Sequence, residues 1–197
     1  MRLKLIVAAV GLLSALSANA ALTVVDFESV PGAVATGSNN SVPDGYAGLH
    51  WSSSFYVLHR DYNPVSGYEY GAIGDWVGYS AYADPLSFWS DDDFDFKGLY
   101  LASAWTPAES VTITAFNNGV QKYSSIVTAT DAEDQLPQLF AFNWKGVDEV
   151  VFSGYSSHIV VDNLQLKIAP VPEPETYAML MAGLGVMGFV ARRRRER

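Results

Sequence analysis

Between residues 22 and 168 the chain is built from short apolar runs, many alternating with polar residues, separated by turn-forming residues. Such runs read as β-strands, because successive side chains on a strand point to opposite faces. Thr23–Phe27 is the first, followed by Leu86–Trp89 and Lys97–Trp105, where Leu99, Leu101 and Ser103 alternate with Tyr100 and Ala102. Ser110–Asn117 and Gln121–Val127 come next, joined at Asn117-Asn118-Gly119. Asn-Gly tolerates positive φ at both turn positions, so this stretch predicts a tight hairpin. Asp131–Gln135 reads as one helical turn or a loop, and Gln138–Trp144, Val147–Ser153 and His158–Ile168 complete the set. No long helical period and no internal repeat interrupts the pattern. The predicted fold is all-β, an antiparallel β-sandwich of jelly-roll kind.

The last predicted strand contains a conflict. Leu164, Leu166 and Ile168 share one face, and the same parity carried backwards puts Val160 and Asp162 in the core with them. An ionised carboxylate buried without partners costs several kcal/mol. Either a bulge at Asp162-Asn163 turns it outward, or backbone donors or a cation hold it. From Val42 to Trp89 the composition changes to aromatic rings interleaved with glycines. Within it Arg60–Pro85 lacks clear periodicity and reads as an extended loop or insertion, packed on the sandwich by its rings.

Both ends are targeting segments. Met1–Ala20 has the parts of a signal peptide: Arg2 and Lys4, an apolar Leu5–Leu16, and Ala18-Asn19-Ala20 as cleavage site. At the other end Thr176–Ala191 is uncharged. As a helix these residues span about 24 Å, slightly less than a hydrocarbon core of about 30 Å. Tyr177 at one headgroup level and snorkelling arginines at the other close the gap, and Arg192, Arg193, Arg194 and Arg195 hold that end in the cytoplasm. The expected organisation is a signal peptide (1–20), a β-sandwich (21–169), a Pro-Glu-Pro linker (170–175), a transmembrane helix (176–191) and a cytoplasmic Arg cluster (192–197).

Val171-Pro172-Glu173-Pro174, an apolar helix and a terminal arginine cluster, in that order, resemble the PEP-CTERM sorting signal of Gram-negative bacteria. The resemblance covers the last 27 residues, Val171–Arg197. It implies export through the inner membrane and transient anchoring by the helix. Processing near Val171, Pro172, Glu173 and Pro174 by an exosortase would follow, with an association with exopolysaccharide and biofilm matrix. A second resemblance rests on Asp26-Phe27-Glu28, Gly45–Trp51 and Val161–Leu164, which look like a β-sandwich body often found ahead of this tail. That body is similar to carbohydrate-binding-like jelly rolls, and the match bears on the fold.

Charge narrows the partners. The chain has 12 Lys and Arg against 21 Asp and Glu, a net charge of −9. Only Arg60, Lys97, Lys122, Lys145 and Lys167 lie in the body, while Glu173, Glu175 and Glu196 lie outside it. The body therefore carries 18 acidic residues against five basic ones, a net −13. Such a surface repels nucleic acid and anionic lipid, and admits neutral sugars and divalent cations. With no cysteine, thiol catalysis and thiolate metal sites are excluded.

Candidate chemistry is of two kinds. Exposed Tyr and Trp rings stack on sugar faces, which makes Tyr62, Tyr68, Tyr70, Trp76, Tyr79 and Tyr82 a candidate glycan surface. The alternative is that these rings pack the loop and core. Hard oxygen ligands for Ca²⁺ occur at Asp26, Glu28 and Asp162, brought together if the first and last strands pair, and at Asp91-Asp92-Asp93-Phe94-Asp95. The Asp run equally suits a solvated acidic turn that blunts a sheet edge. No nucleophile elbow, His-Glu-x-x-His or phosphate loop is present, and His50, His59 and His158 are scattered. The reading is a non-enzymatic exported protein of the cell surface or extracellular matrix, handed to an exosortase. It would be adhesive or structural, with weak contacts to exopolysaccharide. A purely structural coat protein and a carbohydrate-active enzyme are the alternatives.

Overall fold

The computed structural model describes residues 21–37, 40–131 and 137–168, together with positions 181, 183–185, 187 and 192 of the tail, which are helical. The predicted signal peptide, the Val171–Pro174 motif and Arg193–Arg195 lie outside the described residues. So do most of the apolar segment 176–191 and the predicted Asp131–Gln135 turn beyond Asp131. Among the described residues no helix is long and apolar enough to cross a membrane.

The body is all-β. Its strands are β1 (Leu22–Val25), β2 (Asn40–Ser41), β3 (His50–Trp51), β4 (Phe55–His59), β5 (Trp76–Ser80), β6 (Leu86–Ser103), β7 (Glu109–Asn117), β8 (Val120–Ala129), β9 (Gln138–Ser153) and β10 (Ile159–Ile168). One short helix, α1 (Gly67–Tyr70), lies between β4 and β5. All pairings are antiparallel, in the order β2-β4-β5-β10-β6-β9-β7-β8, with β1 beside β10 and β3 beside β6. The predicted hairpin forms between β7 and β8, with Asn118 at φ 51° and Gly119 at φ 72°.

Two pairs of predicted strands turn out to be single long ones. β6 runs through both Leu86–Trp89 and the later run, and β9 joins Gln138–Trp144 to Val147–Ser153. Their register shifts at three places, and the widest break lies between the pairs Trp89–Glu149 and Phe94–Val147, where Ser90–Asp93 oppose only Asp148. Extra residues on one strand bend it. On one side of the break the sheet continues into β10, β5, β4, β2 and β1, and on the other into β3, β7 and β8. Phe94, Phe96, Leu164 and Leu166 from the first half share one buried cluster with Phe88, Val111, Ile113, Val150 and Phe152 from the second. Phe88 lies 5.8 Å from Phe94, 5.9 Å from Phe96 and 6.3 Å from Phe152, ring centre to ring centre. The sheet thus doubles over on itself. Each buried Phe contributes roughly 1.5–3 kcal/mol by leaving water.

Arg60–Pro85 is not a loop. It holds a 3-10 turn at Arg60–Tyr62, α1, β5 and a second turn at Ala81–Ala83. β5 is an interior strand between β4 and β10. Its alternation is hidden because both its faces are covered: Val77 and Tyr79 face a second cluster, while Gly78 lies beneath the Phe27 and Phe55 rings. That second cluster, with Leu58, Tyr68, Ala72, Ala102 and Val160, covers the outer face of the first half-sheet.

Candidate functional site

The six aromatic residues of the predicted glycan surface separate by burial. Tyr68 and Tyr79, at 2% and 6% exposure, belong to the second cluster, and Tyr68 Oη lies 2.6 Å from His158 Nδ1. Burial pushes the Tyr79 hydroxyl up to about 12 and the Tyr68 hydroxyl higher still. Neither ring has a face free for a sugar, so both leave the candidate surface and act as packing. Tyr62 and Tyr82 reach solvent, at 40% and 76% exposure. Tyr82 does so because it and Ala83 adopt positive φ (60° and 57°) in the turn after β5. Trp76 is half-buried, edge-on to His59 at 5.3 Å.

Tyr70 and Trp105 meet in a shallow depression of about 180 Å³, lined also by Val65, Ser66, Ala104 and Asp131. α1 supplies Tyr70; Ser66 caps that helix by accepting the Tyr68 N–H. Trp105, just past the end of β6, is 53% exposed and rests edge-on against Tyr68 at 5.4 Å. Nothing in the sequence pattern singled it out, because it closes a strand whose other residues are core. Glu109, at the start of β7, is buried. Burial raises that carboxyl's affinity for a proton, but hydrogen bonds from Ser156 and Thr106 outweigh it and hold the group below the usual range.

The predicted metal ligands Asp26, Glu28 and Asp162 do come near one another, since β1 pairs with β10, but as acceptors of backbone hydrogen bonds. Asp26 accepts the Glu28 N–H at 3.2 Å, and Glu28 Oε1 accepts those of Asp75 and Trp76 at 2.7 and 3.1 Å. Asp162, 1% exposed, accepts the Ile73 N–H at 2.7 Å and the Asn163 N–H at 2.6 Å. The bulge is present as well: Asn163 has φ 44° and the register with β6 shifts after Asp162. Its effect is to reverse parity. Val161, Leu164 and Leu166 face the main core, while Val160 faces the second cluster and Asp162 follows it. Among the described residues no three His, Asp or Glu side chains gather closely enough to hold a metal ion. In this arrangement the oxygens of Asp26, Glu28 and Asp162, the expected Ca²⁺ ligands, serve the backbone.

The Asp run forms the bend in β6. Asp95 binds Lys97 Nζ at 2.9 Å and accepts the Gly146 N–H at 3.2 Å, and Asp93 accepts from Asn117 Nδ2 at 2.8 Å. A second depression, of about 340 Å³, opens at this bend, lined by Trp89, Ser90, Gly119, Asp148 and Glu149. The histidines stand apart. His50 pairs with Asp44 at 2.7 Å, His59 accepts the Asp61 N–H, and His158 is partly buried, which lowers its proton affinity.

The tail itself is recognised: residues 170–195 match the PEP-CTERM protein-sorting motif. The chain therefore carries the recognition signal of an exosortase, which directs export and sorting to the cell surface, with exosortase as the processing partner. No curated protein matches the chain. Among solved structures, TmCBM61 in complex with β-1,4-galactotriose is similar at 12% identity and a TM-score of 0.38, over 66% of this chain and 97% of that one. A DUF4465 family protein from Bacteroides ovatus is similar at 12% identity and 0.43, over 74% and 93%. The agarase AgWH50C is similar at 8% identity and 0.35, over 66% of this chain and 24% of its own. The galactotriose and the agarase activity belong to those proteins.

Proposed function

We propose that this is a non-catalytic protein of the cell surface or extracellular matrix, adhesive or structural, which touches neutral glycans weakly through solvent-facing rings. On this reading the first 20 residues are removed on export. The body is a sandwich of jelly-roll kind, and residues 176–191 anchor it in the inner membrane of a Gram-negative bacterium until the exosortase acts. Exopolysaccharide is then the surrounding polymer. The observation that carries the glycan contact is the depression where Trp105 stands exposed beside Tyr70, with Ser66 and Asp131 at its rim. An aromatic platform with polar groups around it suits a sugar ring, and Tyr62 and Tyr82 are further rings open to solvent. A single stack is worth little; many copies in a matrix convert it into adhesion. The body's acidity directs this surface away from uronate and sulfate polymers.

The test is a glycan array probed with the full-length protein in mild detergent. Neutral oligosaccharides are expected to bind, with the signal falling at least fivefold in Trp105→Ala or Tyr70→Ala. Silence across the array would favour a purely structural coat protein. Release of reducing ends, abolished by one Asp or Glu substitution, would favour an enzyme.

A further inference from the structure

The depression at the bend of the doubled sheet lies outside the aromatic segment, and its construction is specific. Trp89 on β6 and Glu149 on β9 are direct cross-strand partners, so their side chains stand on the same face. On the other flank of Trp89 its partner is His50 of β3. The imidazole stacks on the indole at 5.4 Å and 17°, and Asp44 fixes it at 2.7 Å. The hydrogen bond to Asp44 raises the proton affinity of His50, so the stack gains cationic character. One side of the indole is thereby taken, and the cleft opens on the Glu149 side, without His50 in its lining.

Its polar groups are unspent. Among the described residues neither Trp89 Nε1 nor the Glu149 carboxylate has a hydrogen-bond partner within the protein, and Trp89 is 37% exposed. Glu149 is partly buried and stands next to Asp148; burial first and that neighbour second raise its proton affinity, so it lacks a counter-charge. Asp148 is held in place by the Asn118 N–H at 2.6 Å, in the hairpin whose Gly119 forms the far wall. A volume of about 340 Å³ falls within the range of small-ligand clefts. An indole face accepts the C–H side of a pyranose and attracts a cation, and two neighbouring carboxylates exclude an acidic sugar while rewarding an ammonium.

We propose that the Trp89 cleft binds an unacetylated amino-sugar residue of a polysaccharide, its ring against the indole and its ammonium between Glu149 and Asp148. The inference rests on the glycan-contact reading for the class of ligand, and it assigns a different site and a charged sugar. Titration of the full-length protein with a glucosamine hexamer, followed by tryptophan fluorescence and calorimetry, tests it. The hexamer is expected to bind, with Kd rising at least tenfold in Trp89→Ala and in Glu149→Gln, and at least tenfold for the fully N-acetylated hexamer. Ile126→Ser, on the exposed outer face of β8, is expected to bind as the parent does, and equal melting temperatures check that the variants fold. Trp89→Ala binding as tightly as the parent would overturn the proposal. So would equal binding of the acetylated hexamer, or equally effective displacement by a lysine peptide, since the cleft would then read charge alone. Array signals lost in Trp105→Ala, together with hexamer binding untouched in Trp89→Ala, sink the cleft and leave the surface reading standing. No sugar binding in either assay sinks both.

Discussion

At Asp162 the fold keeps a carboxylate out of water beside two others. Burial is the largest influence on it; Glu28 and Asp26 push the same way, while the Ile73 and Asn163 N–H groups pull against them. The balance leaves Asp162 at about 7, well above an unfolded aspartate near 3.9. A folded group with a raised value binds more protons than the unfolded chain between those two limits. Its stabilisation is therefore complete below about pH 4 and is lost as pH rises through about 7. Asp162→Asn removes this titration and weakens one of the two backbone bonds. It is expected to be less stable than the parent at pH 5, with the gap narrowing by on the order of 1–3 kcal/mol by pH 8, measured by urea melts across pH. A gap constant with pH would refute this account. The misfit at this position was legible in the parity of β10. Its resolution was not, because it needs both a positive φ at Asn163 and a donor from Ile73, 89 residues away.

Among the elements, α1 is the most tightly constrained. A Cβ at Gly67 would lie 1.7 Å from the Ser103 carbonyl oxygen of β6, backbone against backbone, with no flexible side chain to yield. Gly67→Ala is expected to cost about 1–3 kcal/mol or more, read as a drop in melting temperature. Because α1 carries Tyr70, the same change should reduce any glycan signal at Trp105. Strands that alternate were the readable ones: β7 switches between buried and wetter positions, β8 between half-buried and exposed ones, and β10 alternates from Asn163 onward. β4 and β5 were missed because they are covered on both faces, which erases a period of two. The long continuity of β6 was hidden by its own bend, where Asp91–Asp93 read as the end of one strand. Trp89 reads from the sequence as the end of the strand Leu86–Trp89, and only the register with His50 and Glu149 exposes it as the wall of a cleft.

For the whole molecule, the proposed function divides the work between the body, which would make the contacts, and the tail, which fixes the address. Changing Arg192–Arg195 to Gln removes the charges expected to hold the tail in the cytoplasm, and should lower the processed fraction severalfold in cell-fractionation immunoblots. Unaltered processing would contradict that role. The two parts join at β10, which enters the tail directly after Ile168. Along its length β10 is hydrogen-bonded to β6 on one edge and to β5 and then β1 on the other. If the tail anchors as proposed, a tug transmitted from the membrane through it arrives at a strand gripped from both sides, where many ladder bonds share the load instead of unzipping one at a time from a free border.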